Sequence, residues 1–180
     1  MKRLRLLQPD DALAALAVLV DAVQSQAPAL YRQDQVRAWC EHACSKADLP
    51  AALARGHGWA SVACEDSALP LLPDESLEAF ALRDPPDRLS LLYCRGRSSR
   101  QGRATDLLQA VETSAFAEGH RRLRTEASQF SRPLLERHGW SVEAPEVVVL
   151  AGVSFERWRM VKHLSASPAD NGGGDLSIDG

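Results

Sequence analysis

The stretch with the clearest capacity for chemistry lies between Leu91 and Leu108 and reads LLYCRGRSSRQGRATDLL. An apolar strand leads into a polar loop that contains four arginines, Arg95, Arg97, Arg100 and Arg103. Gly102 and the small Ala104 stand where a helix begins. Backbone N–H groups in the first turn of a helix lack partners within it, and the helix dipole adds positive potential there. Because glycine allows a ligand to approach the backbone closely, the pattern predicts an anion site suited to a pyrophosphate.

Two better-known phosphate loops do not match this segment. A P-loop needs Gly-Lys followed by Ser or Thr, and a dinucleotide-binding fingerprint needs three spaced glycines. The loop alone leaves a plainer alternative open, in which the arginines only face solvent, because short patterns of this kind often occur without a ligand.

The hydrophobic periodicity predicts the elements that hold this loop in place. Strands are predicted at residues 3–7, 59–64, 76–82, 89–94, 123–127, 147–150 and 153–161. A first helix is predicted after an N-cap at Asp10, with one buried face formed by Leu13, Leu16, Ala17, Val20 and Val23. A second helix covers residues 36–44, and a third follows the arginine loop and ends at Gly119. A short helix closing at Gly139 precedes the last two strands.

The third helix has a clear apolar stripe, formed by Leu107, Leu108, Val111 and Ala115. Helices and strands interleave without strict alternation, and several strands follow one another in the middle of the chain. This order predicts an α/β (α+β) fold with a mixed, partly antiparallel sheet and helices on both faces.

Composition narrows the class of protein. The 180 residues are 45% hydrophobic and 25% charged, which is enough for one domain with a buried core. A net charge of −3 gives no reason to expect nucleic-acid binding. No apolar run approaches the roughly 18 residues of a membrane span, and the N-terminus turns acidic before any signal-peptide core. We therefore expect a cytoplasmic domain at residues 1–164, followed by a disordered polar tail at residues 165–180.

The four cysteines, Cys40, Cys44, Cys64 and Cys94, are expected to be reduced thiols in a reducing compartment. Cys40 and Cys44 share a helix face and could in principle clip a metal. They also continue an apolar stripe with Val36, Trp39 and Ala43, and small buried cysteines are common. The stripe favours packing, so no metal site is predicted.

Residues 92–108 resemble motif A of the GNAT superfamily of N-acetyltransferases. In that motif a strand ending in Leu-Tyr-Val leads into Q/R-x-x-G-x-G/A and then into a Leu-Leu helix. Here Leu92-Tyr93-Cys94 occupies the strand end, residues 99–104 (SRQGRA) the acyl-CoA loop, and Leu107-Leu108 the helix, with no gap in the spacing. Ser99 replaces the usual Gln or Arg, and Arg97 replaces a usual Pro.

Further blocks match the same family in order. Residues 123–128 and 132–140 resemble motif B, and residues 152–164 resemble the closing strand. Residues 5–23 and 35–39 are similar to the opening strand and the first two helices. The likeness covers residues 3–164, so the sequence is identified as a member of this family. Membership implies a largely antiparallel central sheet flanked by helices on both faces.

The resemblance also implies the chemistry. Acetyl-CoA is the expected cosubstrate, without a metal, and the acceptor amine attacks the thioester directly. The backbone N–H near Cys94 is the expected donor to the oxyanion. The residues expected to bind the cofactor are Leu92, Tyr93, Cys94, Arg100, Gln101, Gly102, Arg103, Ala104 and Thr105.

Two side chains are candidates for catalysis. Glu126 is the proposed general base, acting directly or through water, although a strand residue has two faces and Glu126 could simply be exposed. Ser128 could hydrogen-bond the cofactor near the thioester sulfur or could cap the following helix. Leu135 stands where many relatives carry a tyrosine that protonates the departing thiolate. A thiol with a pKa of about 8.5 leaves tolerably without that help.

Two rival interpretations remain open at this stage. One is a catalytically silent GNAT domain that binds acyl-CoA as a regulatory or structural ligand, and the other is an unrelated interaction module with an acidic partner. The acceptor is expected to be a small-molecule amine or a protein amine, with no nucleic-acid or membrane partner and with the chain a monomer or homodimer. An acidic acceptor pocket would favour polyamines or lysines, whereas an arginine there would favour amino acids.

Overall fold

The computed structural model describes residues 1–45, 49–64 and 75–165. The strands are β1 (Lys2–Leu6), β2 (His57–Cys64), β3 (Glu75–Arg83), β4 (Leu89–Cys94), β5 (Arg122–Ala127), β6 (Ser141–Leu150) and β7 (Val153–His163). The α-helices are α1 (Ala12–Gln26), α2 (Gln33–Cys44), α3 (Leu49–Arg55), α4 (Arg103–Ala117) and α5 (Arg132–Arg137). Short 3₁₀ turns occur at Pro9–Asp11, Ala27–Ala29 and Gly96–Ser98.

The strands form two antiparallel sheets, in the orders β1-β2-β3-β4 and β5-β7-β6. The sheets meet where β4 and β5 begin, through a parallel bridge between Arg88 and Arg124. Helices α1, α2 and α3 contribute to one hydrophobic cluster, and α4 and α5 contribute to the other. The predicted fold class is therefore confirmed, with the expected central sheet divided between β4 and β5. The sequence analysis did not anticipate α3.

Helix α4 buries the face that its sequence predicts. Leu107, Leu108, Val111 and Ala115 are all fully buried, at 0% exposure. Gly119 follows the helix with a positive φ of 95°, which fits its predicted role as the stop.

Helix α1 forms as predicted, but its buried face is different. Its buried residues are Ala15, Val18, Leu19, Ala22 and Val23. Leu13, predicted to be buried, is 83% exposed. The helix begins at Ala12 after a 3₁₀ turn, so its N-cap is Asp11 and not the predicted Asp10. Almost every residue from position 12 to position 20 is apolar, so periodicity could not decide which face meets the sheet.

The prediction that Cys40 and Cys44 both belong to a packed apolar stripe on α2 is only partly correct. Cys40 packs against the core, whereas Cys44 is exposed. No group of three or more possible metal-ligating side chains occurs among residues 1–45, 49–64 and 75–165.

Segment Pro9–Ala29, which includes α1, is 21 residues long and apolar enough to cross a membrane, with a mean hydropathy of 1.3 over an 18-residue window. In the folded chain α1 packs on the sheet, and core helices commonly have such a composition. Apart from Ser165, the predicted tail lies outside the described residues.

Candidate active site

A cleft of about 710 Å³ opens between β4 and β5. The two strands start side by side, and the Thr125 hydroxyl donates to the Leu89 carbonyl at 2.7 Å. The described residues show no further backbone pairing between these strands, so β4 and β5 diverge towards Cys94 and Ser128. The divergence leaves one edge of β4 facing the cleft.

The ladder between β3 and β4 shows which backbone groups face that cleft. Arg95 N–H donates to the Glu78 carbonyl on β3 at 2.9 Å. Successive residues of a strand direct their backbone groups to opposite sides. Cys94 and Leu92 therefore direct their N–H and C=O groups away from β3, into the cleft. The N–H groups are donors of the kind that an oxyanion requires, and an amide-containing ligand can use both the N–H donors and the C=O acceptors.

The N-terminus of α4 opens into the same cleft. Asp106 makes the first helical hydrogen bond, to the Gly102 carbonyl at 3.0 Å, so the N–H groups of Arg103, Ala104 and Thr105 have no acceptor within the helix. Gly102 has a φ of 76°, in the left-handed region that favours glycine. A Cβ at this position would meet only the Lys2 amine, at 3.8 Å. Backbone conformation, and not crowding, is therefore the reason for glycine here.

Two carboxylates anchor the loop that precedes α4. Glu78 on β3 is 2% exposed and accepts hydrogen bonds from the Ser98 hydroxyl at 2.6 Å and from Arg97 Nε at 3.0 Å. Burial alone would raise the pKa of Glu78, but the hydrogen bonds from Arg97 and Ser98 outweigh it and lower the pKa to about 2. Asp21 on α1 accepts the Gly96 N–H at 2.8 Å. The carboxylates thus hold the loop against both the sheet and α1.

Most of the loop arginines are committed to this internal framework. Arg97 binds Glu78, and Arg95 Nε donates to a β3 carbonyl at 3.0 Å. Arg103 is 6% exposed and donates to the Ser61 hydroxyl at 2.8 Å. Arg100 lines the cleft and has no hydrogen bond or ion pair to any described residue. Of these four arginine side chains, Arg100 is thus the one left available to a ligand.

All but one of the sequence-predicted site residues line the cleft. Those that do are Leu92, Tyr93, Cys94, Arg100, Gly102, Arg103, Ala104, Thr105, Glu126 and Ser128. Gln101 lies outside, where its side-chain amide donates to the Arg97 carbonyl at 3.0 Å. Arg103 lines the cleft at the start of α4, while its guanidinium reaches β2.

The Cys94 thiol is unsuited to carry an acyl group. Burial raises its pKa to about 11, and its sulfur donates to the Ser98 carbonyl at 3.3 Å. An acyl-enzyme route needs a thiolate, so this environment favours direct transfer.

Gln26, at the end of α1, is a cleft residue that the sequence analysis missed. Its side-chain amide donates to the cleft-facing Cys94 carbonyl at 2.7 Å and accepts from the Ser99 hydroxyl at 3.2 Å. It ties α1 to the end of β4 and to the loop. The polar end of α1, which follows nine apolar residues, was the available signal.

Glu126 lies on β5 and is held by arginines. Arg88 donates to its Oε2 through Nη2 at 2.6 Å and through Nε at 2.8 Å. Its Oε1 lies 3.9 Å from an Arg124 nitrogen and makes no hydrogen bond to a described residue. The carboxylate is therefore oriented through one oxygen, while the other is available to a proton donor.

Aromatic side chains form the wall opposite Glu126. Trp39 and Tyr93 line the cleft, and Trp39 Nε1 donates to the Tyr93 hydroxyl at 3.3 Å. Burial raises the pKa of Tyr93 to about 12. Tyr31 packs edge-on against Trp39 at a centroid distance of 5.4 Å, and Phe155 packs against both. This wall is apolar and carries no charge.

Ser128 and Ser131 cap the start of α5 reciprocally. Ser131 N–H donates to Ser128 Oγ at 3.1 Å, and Ser128 N–H donates to Ser131 Oγ at 3.0 Å. Ser128 thus has the capping contact considered as an alternative, while it also lines the cleft. Leu135 is 1% exposed and presents an apolar side chain to the same space.

Comparison with known proteins gives a consistent picture. A family model described as an acetyltransferase (GNAT) domain matches residues 29–162. No curated protein matches closely enough to count as a relative.

Several solved structures share the fold. A GCN5-related N-acetyltransferase from Rhodopseudomonas palustris superposes with a TM-score of 0.77 and 24% identity, over 91% of this chain and 96% of that one. The paiA N-acetyltransferase from Thermoplasma acidophilum, in complex with coenzyme A, gives 0.68 and 15% identity over 91% and 99%. The yncA protein from Salmonella typhimurium, solved with acetyl-CoA, gives 0.59 and 16% identity over 96% and 99%. At these identities the likeness shows the fold.

Proposed function

The chain belongs to the GNAT acetyltransferase family, and on that premise we propose that it transfers an acetyl group from acetyl-CoA directly to a primary amine in the cytoplasm. One observation carries the proposal. The free N–H groups of α4, the cleft-facing edge of β4 and the carboxylate of Glu126 all border the same cleft. An anion site, an oxyanion donor and a base are the three groups that this reaction needs.

The α4 side of the cleft is suited to the cofactor. The pyrophosphate would accept hydrogen bonds from the N–H groups of Arg103, Ala104 and Thr105, with added charge from Arg100. The amide-containing arm would run along β4, where Leu92 and Cys94 offer backbone partners. This assignment keeps the thioester near the cleft-facing N–H of Cys94.

The other end of the cleft is suited to the amine. Glu126 Oε1 would accept the ammonium proton, directly or through a water molecule, so that the neutral nitrogen attacks the thioester carbonyl. The backbone N–H of Cys94 would stabilise the resulting oxyanion. The C–S bond then breaks, and the thiolate departs without an acid because Leu135 has no proton to give. The nitrogen loses its second proton to water or to the released thiolate, which leaves the neutral amide and coenzyme A.

The cofactor site is tested by a matched pair of glycine variants. Gly102 and Gly119 both have positive φ, and Gly119 follows the far end of α4. Gly102→Glu and Gly119→Glu therefore impose similar backbone strain and the same added charge. Calorimetry with coenzyme A should show weaker binding only for Gly102→Glu. Equal affinity in the two variants would place the site elsewhere.

Transfer itself is tested by thiol release from acetyl-CoA with a panel of amines. Release that depends on the amine is the expected result. A protein that binds coenzyme A but releases no thiol with any amine would contradict the proposed activity.

A further inference from the structure

In the sheet formed by β5, β7 and β6, the face that carries Glu126 also carries Arg159, whose positive charge has little to neutralise it. In the pairing of β5 with β7, Glu126 lies directly opposite Arg159. Directly paired residues project to the same face of a sheet, with Cβ atoms roughly 5 Å apart. Glu126 lines the cleft, and Arg159, which is not one of the lining residues, starts next to Glu126 on the same face of the sheet.

The neighbouring arginines each have a close carboxylate. Arg88 binds Glu126 at 2.6 Å, and Arg124 binds Asp87 at 2.9 Å. Each of these pairs balances one positive charge with one negative charge, so neither arginine has an unpaired charge.

Arg159 differs from these arginines. Arg157 binds Oε1 of Glu146, and Arg159 Nε lies 3.9 Å from the other oxygen of that same carboxylate. Within the described part of the chain, no other acid pairs with Arg159, and its side chain is 58% exposed. The guanidinium therefore has donors free and leaves this face with a surplus positive charge.

The remaining wall of the acceptor end does not offset that charge. Tyr31, Trp39 and Phe155 are uncharged, and among the described residues that line the cleft Glu126 is the only acid. An acceptor with a second ammonium group would meet an unfavourable potential here. A carboxylate would meet a planar donor able to bind both of its oxygens.

We propose that the acceptor is an amine that also carries a carboxylate, as in an amino acid, and that Arg159 binds this carboxylate. The inference rests on the proposed transfer to an amine and names its substrate class. Arg159 determines specificity through the carboxylate, while Glu126 handles the proton of the amine.

The test compares matched acceptors. Thiol release is measured at neutral pH with L-amino acids, with their primary amides and with spermidine. The value of kcat/KM is expressed per concentration of the neutral reacting amine, so that differences in the protonated fraction cancel. The wild-type protein should favour at least some amino acids over their amides by about tenfold or more, the usual effect of a charge-assisted contact. Spermidine should be a poor acceptor.

Variants connect the preference to Arg159. Arg159→Gln should reduce the acid-to-amide ratio about tenfold while leaving coenzyme A affinity unchanged, and Arg159→Lys should retain part of it. Arg122→Gln is the matched control, because Arg122 is a half-exposed arginine on β5 paired with Glu143. It loses the same charge and should keep the wild-type ratio.

The outcomes distinguish failure of the carboxylate proposal from failure of the proposed acetyl transfer. Amine-dependent release with amides or spermidine equal to amino acids, or a ratio unchanged in Arg159→Gln, overturns the carboxylate proposal alone. Absence of release with every amine overturns the proposed function and this inference with it.

Discussion

The two ends of the cleft are built in different ways. The cofactor end comes from one continuous stretch, β4, the arginine loop and the start of α4, and its donors are mainly backbone N–H groups. The proposed acceptor end is bordered by β5 and α2, with Arg159 of β7 next to Glu126, and its proposed chemistry lies in the side chains of Glu126 and Arg159. Backbone donors survive most side-chain substitutions, whereas a site made of side chains depends on each one. Single substitutions should therefore have larger effects at the acceptor end.

The largest effect is expected from Glu126→Gln. Removing the proposed base should lower kcat/KM about 10²-fold or more, with coenzyme A affinity unchanged. Glu143→Gln removes a carboxylate from an exposed pair on the same sheet and should leave kcat/KM at the wild-type value. Steady-state thiol release measures both variants, and a wild-type rate in Glu126→Gln would remove this carboxylate from the mechanism.

The pH dependence of kcat/KM tests the same mechanism of proton transfer. With Leu135 in place of a tyrosine, kcat/KM should rise with pH towards the pKa of the amine and show no falling limb near pH 10. Burial raises the pKa of Tyr93 to about 12, so that hydroxyl stays protonated across this range. A decline centred near pH 10 would indicate an acid that the present mechanism omits.

At the cofactor end, the largest effect of a side-chain substitution is expected at Glu78, although Glu78 does not contact the ligand. Glu78→Gln should lower the free energy of unfolding by about 1–2 kcal/mol and weaken coenzyme A binding, because Glu78 anchors the loop through Arg97 and Ser98. Chemical denaturation and calorimetry measure the two effects. Unchanged values for both would show that the loop does not need this anchor.

Acid should reproduce part of that loss in the wild-type protein. The pKa of Glu78 falls from an ordinary value of 4.5 to about 2 in the folded state, so its contribution to stability is complete above pH 4.5. It should disappear as the pH drops from 4.5 towards 2. Glu78→Gln should therefore lose less stability than the wild-type protein over this interval, measured by denaturation at each pH.

Substitutions of Ser128 and Ser131 distinguish a role of Ser128 in capping α5 from a role in binding the cofactor. Ser128→Ala and Ser131→Ala each break the reciprocal cap of α5 and should each cost about 1 kcal/mol of stability. If Ser128 also binds the cofactor near the sulfur, only Ser128→Ala should lower kcat, by a few fold. Equal rates in the two variants would assign Ser128 to the cap alone.

The smallest effect is expected from Arg100→Ala. Arg100 lines the mouth of the backbone site, but an exposed charge contributes only about 0.5–1 kcal/mol. Coenzyme A affinity should fall a few fold at low salt, and the difference should shrink as the ionic strength rises. A loss of several hundredfold would mean that side chains dominate this end too.

The sequence by itself predicted the loop and the helix N-terminus of the proposed cofactor end, because their geometry is local. One short continuous stretch of sequence contains the strand before the loop, Gly102 and the apolar stripe of α4. Their spacing therefore fixes the position of the free N–H groups. The same locality explains why the helix and strand types could be predicted almost throughout.

Only the tertiary structure decided which side chains meet across the fold. The uniformly apolar first nine residues of α1 gave no signal for its buried face, and nothing in the spacing of residues 78 and 97 reveals that Glu78 holds the loop. Arg88, just before β4, binds Glu126, and the pairing of β5 with β7 sets Arg159 opposite Glu126. Register between strands depends on the packing of both sheets. The acceptor end could not be predicted because contacts between distant residues follow from how the whole core packs, and no short segment encodes them.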